Sequence, residues 1–508
     1  MGSNPTLSAF FLTMKIYKYI LEITVFVCGA VVMIFELVGS RVLAPYFGTS
    51  IFVWTSLIGV ILGSLSLGYF WGGKTADKKA SLKGLSVIIF LAAVFICSTM
   101  IIKDVLLVIL KIGTMDIKIG SILASLILFL PASFLLGMVS PYSLKLKIDN
   151  LQTSGSAVGN LYAISTAGSI IGTFLSGFYL IPQFGTNKLL IIISIVLIIN
   201  SLAISFRDFF KRKLFFLIAA ALILVTYTPY QSKAEEKGFI DVDTAYNRVW
   251  IYDFIDQRTD RPVRMMGINN ENHSLMFLDS DELANEYSKY YHLARFFNPG
   301  FKKSLMIGGG GYSFPKDYLN KYPEATIDVV EIDPKLTELS KEYFRLKENP
   351  RLKIFHEDGR VFLNKTEEKY DVIFGDAFTS RYSLPYQLTT REAVQKKYGI
   401  LNDKGVVILN LISSLEGEKG ELLRAEYSTY KSVFSQVYLF PVGSPEDGKK
   451  VQNILLIALK SPDIPNFQAS DVELKGYLDH LWENEIDSDV PILTDDYAPV
   501  DYYISKII

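Results

Sequence analysis

The stretch that decides the fold begins at Leu305 and contains L-M-I-G-G-G-G-Y (305–312), V-V-E-I-D-P (329–334), H-E-D-G-R (356–360) and Y-D-V-I-F-G-D-A-F (370–378). An apolar strand runs into a glycine turn, and the three later segments end in Glu331, Asp358 and Asp376. In an open parallel sheet, ligands bind outside the carboxyl ends of the strands. The sequence therefore predicts a glycine loop and three carboxylates along one edge, an arrangement suited to a nucleoside that carries positive charge.

The spacing of apolar runs after Lys303 predicts the architecture around that edge. Strands and helices alternate at 304–307, 313–320, 326–331, 334–344, 353–356, 359–364, 371–375, 390–400, 405–410 and 420–434. Such alternation is typical of a parallel sheet with helices on both faces. We therefore predict an α/β Rossmann-like domain of the methyltransferase type over 301–508, with late strands at 436–440 and 453–458 as an antiparallel edge.

A smaller region is predicted to precede this domain. The polar run at 231–240 indicates a linker, and the alternating Y-N-R-V-W-I-Y-D-F that starts at residue 246 indicates a strand. Further strands are predicted at 264–268 and 274–278, followed by a gate helix at 281–296. Residues 231–300 are thus expected to form a linker, a small β layer and a gate helix.

The N-terminal region has a different composition. Residues 1–230 carry 17 Lys and Arg against 7 Asp and Glu, a net charge of +10, whereas the remainder carries 34 against 45, a net of −11. A membrane span needs about 20 apolar residues, and such runs occur at about 17–39, 51–72, 84–102, 119–140, 157–181, 187–205 and 213–230. Residues 1–230 are therefore predicted to be a multi-pass α-helical membrane bundle of about seven spans, with the lipid bilayer as a partner. Gly168 and Gly172 form a G-x-x-x-G pair that predicts close helix packing.

The residues at the predicted sheet edge suggest individual roles. A glycine turn lets backbone approach a ligand closely, although a tight turn without ligand is the alternative. A carboxylate at Glu331 can accept both ribose hydroxyls. Asp358 could accept from an adenine amino group or instead cap the helix at 359–364. The predicted cofactor-binding residues are Gly308, Gly309, Gly310, Gly311, Glu331, Asp358, Gly359 and Ala377.

Two further aspartates close the strand ends. Asp376 would lie beside the reactive end of the ligand, where a carboxylate can act as a base or stabilise positive charge. Asp333 precedes Pro334, which predicts a helix N-cap followed by proline at the first helical position.

Taken together, these motifs resemble the membrane-fused branch of the spermidine synthase (polyamine aminopropyltransferase) family. The resemblance implies that Glu331 binds ribose, Asp358 the adenine and Asp376 the reacting amine. It also implies a homodimer, a site lined by Tyr246, and His273 in place of a cofactor-contacting Gln. The predicted catalytic residues are thus Asp376, Tyr246 and His273. The matching pieces are Y-N-R-V (246–249), N-N-E-N-H-S (269–274), I-G-G-G-G (307–311), V-E-I-D (330–333), E-D-G (357–359), Y-D-V-I-F-G-D (370–376) and L-T-D-D-Y-A-P (493–499).

The departures from the family pattern concern acidic residues. Gly311 stands where the family has an Asp that holds the amine of decarboxylated S-adenosylmethionine, and Thr379 stands where it has a second catalytic acid. The Tyr-His-Glu of the family's gate helix is aligned with Lys289, Tyr290 and Tyr291. Loss of several acids would weaken the attraction of a polycationic amine.

The same losses favour S-adenosylmethionine with its carboxylate intact. Two unit charges brought to ~4 Å interact by roughly 4 kcal/mol at an effective dielectric near 20, and glycine at 311 is expected to remove that repulsion and make room. We therefore predict a membrane enzyme that binds S-adenosylmethionine and cleaves its bond from sulfur to side-chain carbon. It would release 5′-methylthioadenosine by cyclisation to homoserine lactone, or to azetidine-2-carboxylate. The alternatives are aminopropyl transfer from decarboxylated S-adenosylmethionine to a polyamine, and a nucleoside-binding transporter or sensor without chemistry.

The sequence also supports predictions about the location of the protein and its other partners. The protein is predicted to lie in the inner (plasma) membrane. Cationic loops usually face the cytoplasm, and with seven spans this would place the C-terminal domain outside. A nucleoside supplied by the cytoplasm would instead require that domain to lie in the cytoplasm. The acidic C-terminal half has no basic stripe, which argues against nucleic acid, and no zinc spacing occurs, so no metal is predicted.

Overall fold

The computed structural model describes residues 19–113, 116–148, 154–205, 238–269, 271–377 and 384–507. The chain divides into two compact units, Met1–Lys237 and Gly238–Ile508. The predicted span at 213–230, most of the predicted linker and Thr379 lie outside the described residues.

The first unit is helical. Its helices are α1 (Ile20–Phe47), α2 (Ile51–Lys79), α3 (Leu82–Ile112), α4 (Ile117–Leu128), α5 (Leu130–Lys147), α6 (Ser154–Leu175) and α7 (Ile181–Ile204), with a π-helical turn at Ser176–Leu180 between the last two. Pro131 lies in the first turn of α5, where it cannot continue the hydrogen bonding of α4. The pair α4 and α5 is consequently bent by 54°.

Within the described residues, four helices are long and apolar enough to cross a bilayer, or five if the bent pair counts as one span. This number is consistent with a membrane protein, but seven spans are not confirmed. The fourth candidate, Ser154–Ile204, is 51 residues long and is interrupted at Gly185, whose φ of 69° is not helical. The predicted spans 157–181 and 187–205 lie on the two sides of this break.

The predicted close packing at the G-x-x-x-G pair is confirmed. A Cβ at Gly168 would lie 2.1 Å from the carbonyl oxygen of Phe26, and one at Gly172 would lie 2.5 Å from that of Ala30. Helix α6 therefore contacts the backbone of α1 at a distance that only glycine permits.

The second unit contains a seven-stranded mixed sheet. Its strands are β5 (Lys303–Ile307), β6 (Thr326–Val330), β7 (Leu352–Phe355), β8 (Tyr370–Gly375), β9 (Leu401–Ser413), β10 (Gln436–Pro441) and β11 (Gln452–Leu459), in the spatial order β10-β11-β9-β8-β5-β6-β7. Strands β7, β6, β5, β8 and β9 are parallel, whereas β11 pairs antiparallel with both β9 and β10. The Rossmann-like fold and its antiparallel edge are therefore confirmed.

Helices cover both faces of this sheet. On one face lie α8 (Glu286–Lys289), α9 (Ala294–Phe297), α10 (Ser313–Lys321) and α15 (Val472–Leu478), and on the other lie α12 (Gly359–Lys365), α13 (Arg391–Ile400) and α14 (Glu421–Lys431). Helix α11 (Pro334–Tyr343) packs on the small sheet, and α16 (Val500–Ile507) packs against α14. Alternation along β8 divides the core, because Phe374 packs in the cluster on one face and Ile373 in the cluster on the other. The N-cap prediction is confirmed, since Asp333 accepts from the N–H of Lys335 at 3.0 Å and Pro334 follows it.

The small β layer is an antiparallel sheet of β1 (Ile240–Asp243), β2 (Arg248–Asp256), β3 (Arg261–Ile268) and β4 (Glu271–Phe277) in sequential order. One face packs on α11, so this sheet belongs to the same compact unit as the larger one. The predicted gate helix starts later than residue 281, because Leu283 instead forms a β-bridge with Met276. The segment consists of α8, a 3₁₀ turn at Tyr290–Leu293, and α9.

Candidate functional site

The glycine turn that follows β5 contacts the end of the neighbouring strand β8. Gly308 has a φ of 98°, and a Cβ there would lie 2.3 Å from the carbonyl oxygen of Asp376. The N–H of Asp376 donates to the carbonyl of Ile307 at 2.9 Å. Only a residue without a side chain allows this contact, so the glycine brings Asp376 to the turn that would hold a ligand.

Glu331 organises the same turn from the next strand. Its Oε2 accepts from the N–H groups of Gly309 and Gly310, at 2.9 and 3.1 Å, and its Oε1 accepts from that of Asp333 at 3.0 Å. Burial raises the pKa of Glu331, and these backbone bonds oppose the shift. The two oxygens of a carboxylate can accept about four hydrogen bonds. Three are made here, so one acceptor position, on Oε1, is left for a ligand hydroxyl.

Asp376 is held by polar groups from three elements. Tyr287 on α8 donates to its Oδ2 at 3.0 Å, and Asn410 on β9 donates to its Oδ1 at 3.1 Å. Asn453 on β11 donates in turn to Asn410 at 3.0 Å. Burial raises the pKa of Asp376, whereas hydrogen bonds from Asn410, Tyr287 and Tyr291 lower it. The carboxylate is thus withdrawn from water but supplied with donors that stabilise its charge.

A cleft of about 330 Å³ opens around Asp376. Glu271, Glu286 and Asp376 line it, together with one cation, Arg258. Burial lowers the pKa of His273, which also lines the cleft, to about 4, so this imidazole is neutral at pH 7. The other lining residues are Asn272, Ser274, Asn285, Tyr287, Gly308, Gly309, Gly310, Asn410, Ile412, Val442 and Asn453.

The gate segment corrects the expectation that its acid is lost. The residues that line the cleft are Asn285, Glu286 and Tyr287, while Tyr291 reaches Asp376 from within the core. Tyr290 and Tyr291 are only 4% and 0% exposed and belong to the core. Glu286 therefore supplies an acid to the cleft lining, and its carboxylate also pairs with Lys289 at 2.8 Å, so the expected loss of acidic character was overstated.

The expectation that Gly311 makes room for a carboxylate is wrong. A Cβ at Gly311 would lie 2.7 Å from the Cβ of Ser274 and 3.1 Å from a ring carbon of Phe344. The N–H of Gly311 donates to the hydroxyl of Ser274 at 2.9 Å. The space is filled because the chain turns at Gly310, whose φ is 50°, and packs against β4.

Asp358 and its neighbours lie at the other side of the turn. Asp358 caps α12, since its Oδ1 accepts from the N–H groups of Arg360 and Val361 at 2.8 and 3.0 Å. Both bonds use Oδ1, which leaves Oδ2 able to accept from a ligand. A Cβ at Gly359 would lie 2.8 Å from Ile307, so the start of α12 packs on the end of β5. Ala377 lines a small cavity, largely apolar, with Ile307, Gly375, Leu384 and Leu388.

Tyr246 does not join this group. Its side chain is 47% exposed, it precedes β2, and it is not part of the cleft lining. The structure therefore brings together Asp376, His273 and the glycines Gly308 to Gly310 in the cleft lining, whereas a role for Tyr246 stays a prediction.

Among the cleft residues that were not predicted as site residues are Glu286, Tyr287, Asn410 and Asn453. Asn410 interrupts the apolar run V-V-I-L-N-L at 406–411, and Asn453 precedes the apolar run I-L-L-I at 454–457. A polar residue beside a buried strand at the ligand-binding edge is a usable signal. The gate residues gave no such signal, because their orientation depends on where the helix begins.

Comparisons with known proteins agree with this architecture. A family model described as "Spermine/spermidine synthase domain" matches residues 286–463. The chain is 31% identical over 216 residues to a "Polyamine aminopropyltransferase" from Vibrio vulnificus, covering 40% of this chain and 70% of that protein. It is 26% identical over 313 residues to a "Probable polyamine aminopropyl transferase" from Bifidobacterium longum, covering 57% and 69%.

Among solved structures, a probable spermidine synthase from Corynebacterium glutamicum is 22% identical, with a TM-score of 0.40 over 47% of this chain and 85% of that one. The apolar N-terminal helices are consistent with a membrane-fused branch. On the sequence match to the Vibrio protein, the chain belongs to the spermidine synthase (polyamine aminopropyltransferase) family.

Proposed function

We propose that the C-terminal unit transfers an aminopropyl group from decarboxylated S-adenosylmethionine to an amine acceptor. The observation that carries this proposal is the cleft beside the glycine turn, which is lined by Glu271, Glu286 and Asp376. Three carboxylates attract a sulfonium nucleoside and a cationic amine to the same place. Family membership supports the same reaction class.

The proposed roles of the site residues follow from their positions. The turn Gly308–Gly310 and Glu331 hold the ribose side, and Oδ2 of Asp358 accepts from the adenine amino group. Asp376 lies where the sulfonium and the attacking amine meet. His273 is neutral and lines the cleft, so it can contact the donor without repelling its positive charge.

The reaction balances without a metal or a redox partner. The nitrogen of the acceptor amine attacks the aminopropyl carbon that is bonded to the sulfonium sulfur. A nitrogen–carbon bond forms, and the bond between this carbon and sulfur breaks, leaving its electron pair on sulfur. The leaving group is neutral 5′-methylthioadenosine, and the nitrogen passes its proton to Asp376. Holding both reactants in one cleft supplies part of the rate by proximity.

A second candidate is cyclisation of intact S-adenosylmethionine. The observation that favours it is Arg258, a cation in the cleft lining that could pair with the substrate carboxylate. Against this candidate, Ser274 occupies the space beside Gly311 where the substrate carboxylate would have to fit. Aminopropyl transfer to an amine is therefore the main proposal.

The test uses the purified full-length chain. It is incubated with decarboxylated S-adenosylmethionine with and without putrescine or spermidine, and separately with S-adenosylmethionine alone, and methylthioadenosine is measured by chromatography. Release that requires both the decarboxylated donor and an amine supports the main proposal. Release from S-adenosylmethionine alone would instead establish cyclisation, and release from neither would refute both.

A matched pair of variants assigns the activity to the cleft. Asp376→Asn should reduce the rate by at least a hundredfold while binding of methylthioadenosine is retained. Asp403→Asn removes an exposed carboxylate at the opposite end of β9 and should leave the rate unchanged. Equal rates for the two variants would contradict the role given to Asp376.

A further inference from the structure

Three neighbouring strands each contribute a polar side chain to one face of the sheet at its ligand-binding edge. Asp376 follows β8, Asn410 lies on β9 and Asn453 lies on β11, and these strands are adjacent in the order β11-β9-β8. Asn410 is paired with Leu455 and Asn453 with Ile412. Strand alternation therefore puts all three side chains above the same core cluster.

The hydrogen bonds between these side chains have a defined direction. Asn453 Nδ2 donates to Asn410 Oδ1 at 3.0 Å, and Asn410 Nδ2 donates to Asp376 Oδ1 at 3.1 Å. An amide has one donating end and one accepting end, whereas an ionised carboxylate only accepts. The direction of the chain is thus the one that suits an ionised Asp376.

We propose that Asn453 is a positioning residue that holds the Asn410 amide in the orientation that presents its donor to Asp376. Asn453 touches no reacting atom in this role and acts only through Asn410. Without its donor, the Asn410 side chain can rotate by half a turn and direct its carbonyl oxygen at Asp376. That orientation repels the carboxylate and favours the protonated acid, which could no longer accept a proton from the amine. The catalytic consequence rests on the proposed function, but the hydrogen-bond chain itself does not.

Asp376 has few other donors to compensate for such a rotation. Tyr287 serves the other carboxylate oxygen, Oδ2, and Tyr291 also hydrogen-bonds the carboxylate, whereas Asn410 is the donor to Oδ1. The titratable and charged groups that face Asp376 or line its cleft are Tyr287, Glu286 and Tyr291 from the gate segment, Glu271 and His273 from β4, and Arg258 from the turn between β2 and β3.

The test is a direct titration of Asp376 in the full-length chain without substrate. Infrared difference spectroscopy follows the protonated carboxyl band across pH, and Asp376→Asn identifies the band by its loss. In Asn453→Leu, which has a similar size but no donor, the midpoint should rise by at least one pH unit, a tenfold gain in proton affinity. Asn453→Asp, which can only accept from Asn410, should raise it further.

The controls separate orientation from other effects. Ile412→Val alters the residue paired with Asn453 without touching the hydrogen bonds, and it should leave the midpoint in place whatever it does to the rate. An unchanged midpoint in Asn453→Leu would overturn the proposal, even if Asn453→Asp shifted it, because the added charge alone would explain that shift. The titration contains no substrate, so it can be interpreted even if the protein transfers no aminopropyl group. Absence of transfer would refute the proposed function but not the role of Asn453.

Discussion

Replacement of Gly308 by alanine tests the physical basis of the site. The Cβ of Gly308→Ala would lie 2.3 Å from the carbonyl oxygen of Asp376 and 3.1 Å from the Cα of Ala377. Ordinary contact begins near 3.4 Å, so the ends of β5 and β8 would have to separate by about an ångström. The residue would also have to keep a φ of 98°, which side chains disfavour.

The cost of this substitution can be worked out from these two effects. A non-glycine residue in left-handed backbone costs about 1–2 kcal/mol, and forcing an extra methyl into packed structure costs about 1–3 kcal/mol. The expected loss is therefore about 2–5 kcal/mol. For a unit of this size, each kcal/mol moves the melting temperature by about 2–4 °C, which predicts a decrease of roughly 4–20 °C.

Thermal unfolding of the full-length chain, followed by tryptophan fluorescence, measures this decrease. The matched control is Gly399→Ala in helix α13, where an added Cβ meets nothing within 4 Å. Alanine is favoured over glycine in a helix by about 0.5–1 kcal/mol, so this control should be slightly stabilised. If Gly308→Ala melted with the wild type while the control rose, the proposed contact between the two strand ends would be refuted.

Three further predictions concern other parts of the chain. Lys397 is 3% exposed, and its ammonium donates to the carbonyl of Leu388 at 3.1 Å and to the hydroxyl of Tyr430 at 2.7 Å; Lys397→Met leaves both buried acceptors without this donor and should lower stability by about 1–3 kcal/mol in denaturant titrations. Burial lowers the pKa of His273 to about 4, whereas this side chain has a pKa near 6.5 in the unfolded chain. As the pH falls from about 6.5 towards 4, the unfolded chain binds the proton and the folded chain does not, so stability is lost. Melting temperatures measured across this pH range should fall less in His273→Gln than in the wild type. Gly172→Leu should disrupt packing on α1 and increase protease sensitivity of the helical unit, whereas Gly177→Ala, with nothing within 4 Å, should not.

The positions of the strand-end residues followed from local patterns in the sequence. Apolar runs of four or five residues that end in glycine or a carboxylate identified Gly308, Glu331 and Asp376 as neighbours, because parallel strands present their carboxyl ends at one edge. The cap at Asp333 followed from the proline after it. These predictions depend on residues close in sequence, so no tertiary information was needed.

The surroundings of that edge depended on contacts between distant segments. Nothing near Gly311 in the sequence indicates that Ser274, 37 residues earlier, fills the space beside it. The register of the gate segment, which brings Glu286 and Tyr287 to the cleft, depends on the bridge between Leu283 and Met276. The first contact closes the room that was expected beside Gly311, and the second adds Glu286 to the acids at the cleft.

By itself, the sequence determined a Rossmann-like sheet, the edge at which a ligand would bind and the close contact of two apolar helices at Gly168 and Gly172. Each of these follows from periodicity and from the size or charge of single residues. The tertiary structure alone decided which side chains surround Asp376 and which space is closed to a ligand. The physical reason is that these hydrogen bonds and packing contacts form between residues that are far apart in the sequence. The spacing of residues along the chain does not indicate which distant segments come close in the folded structure.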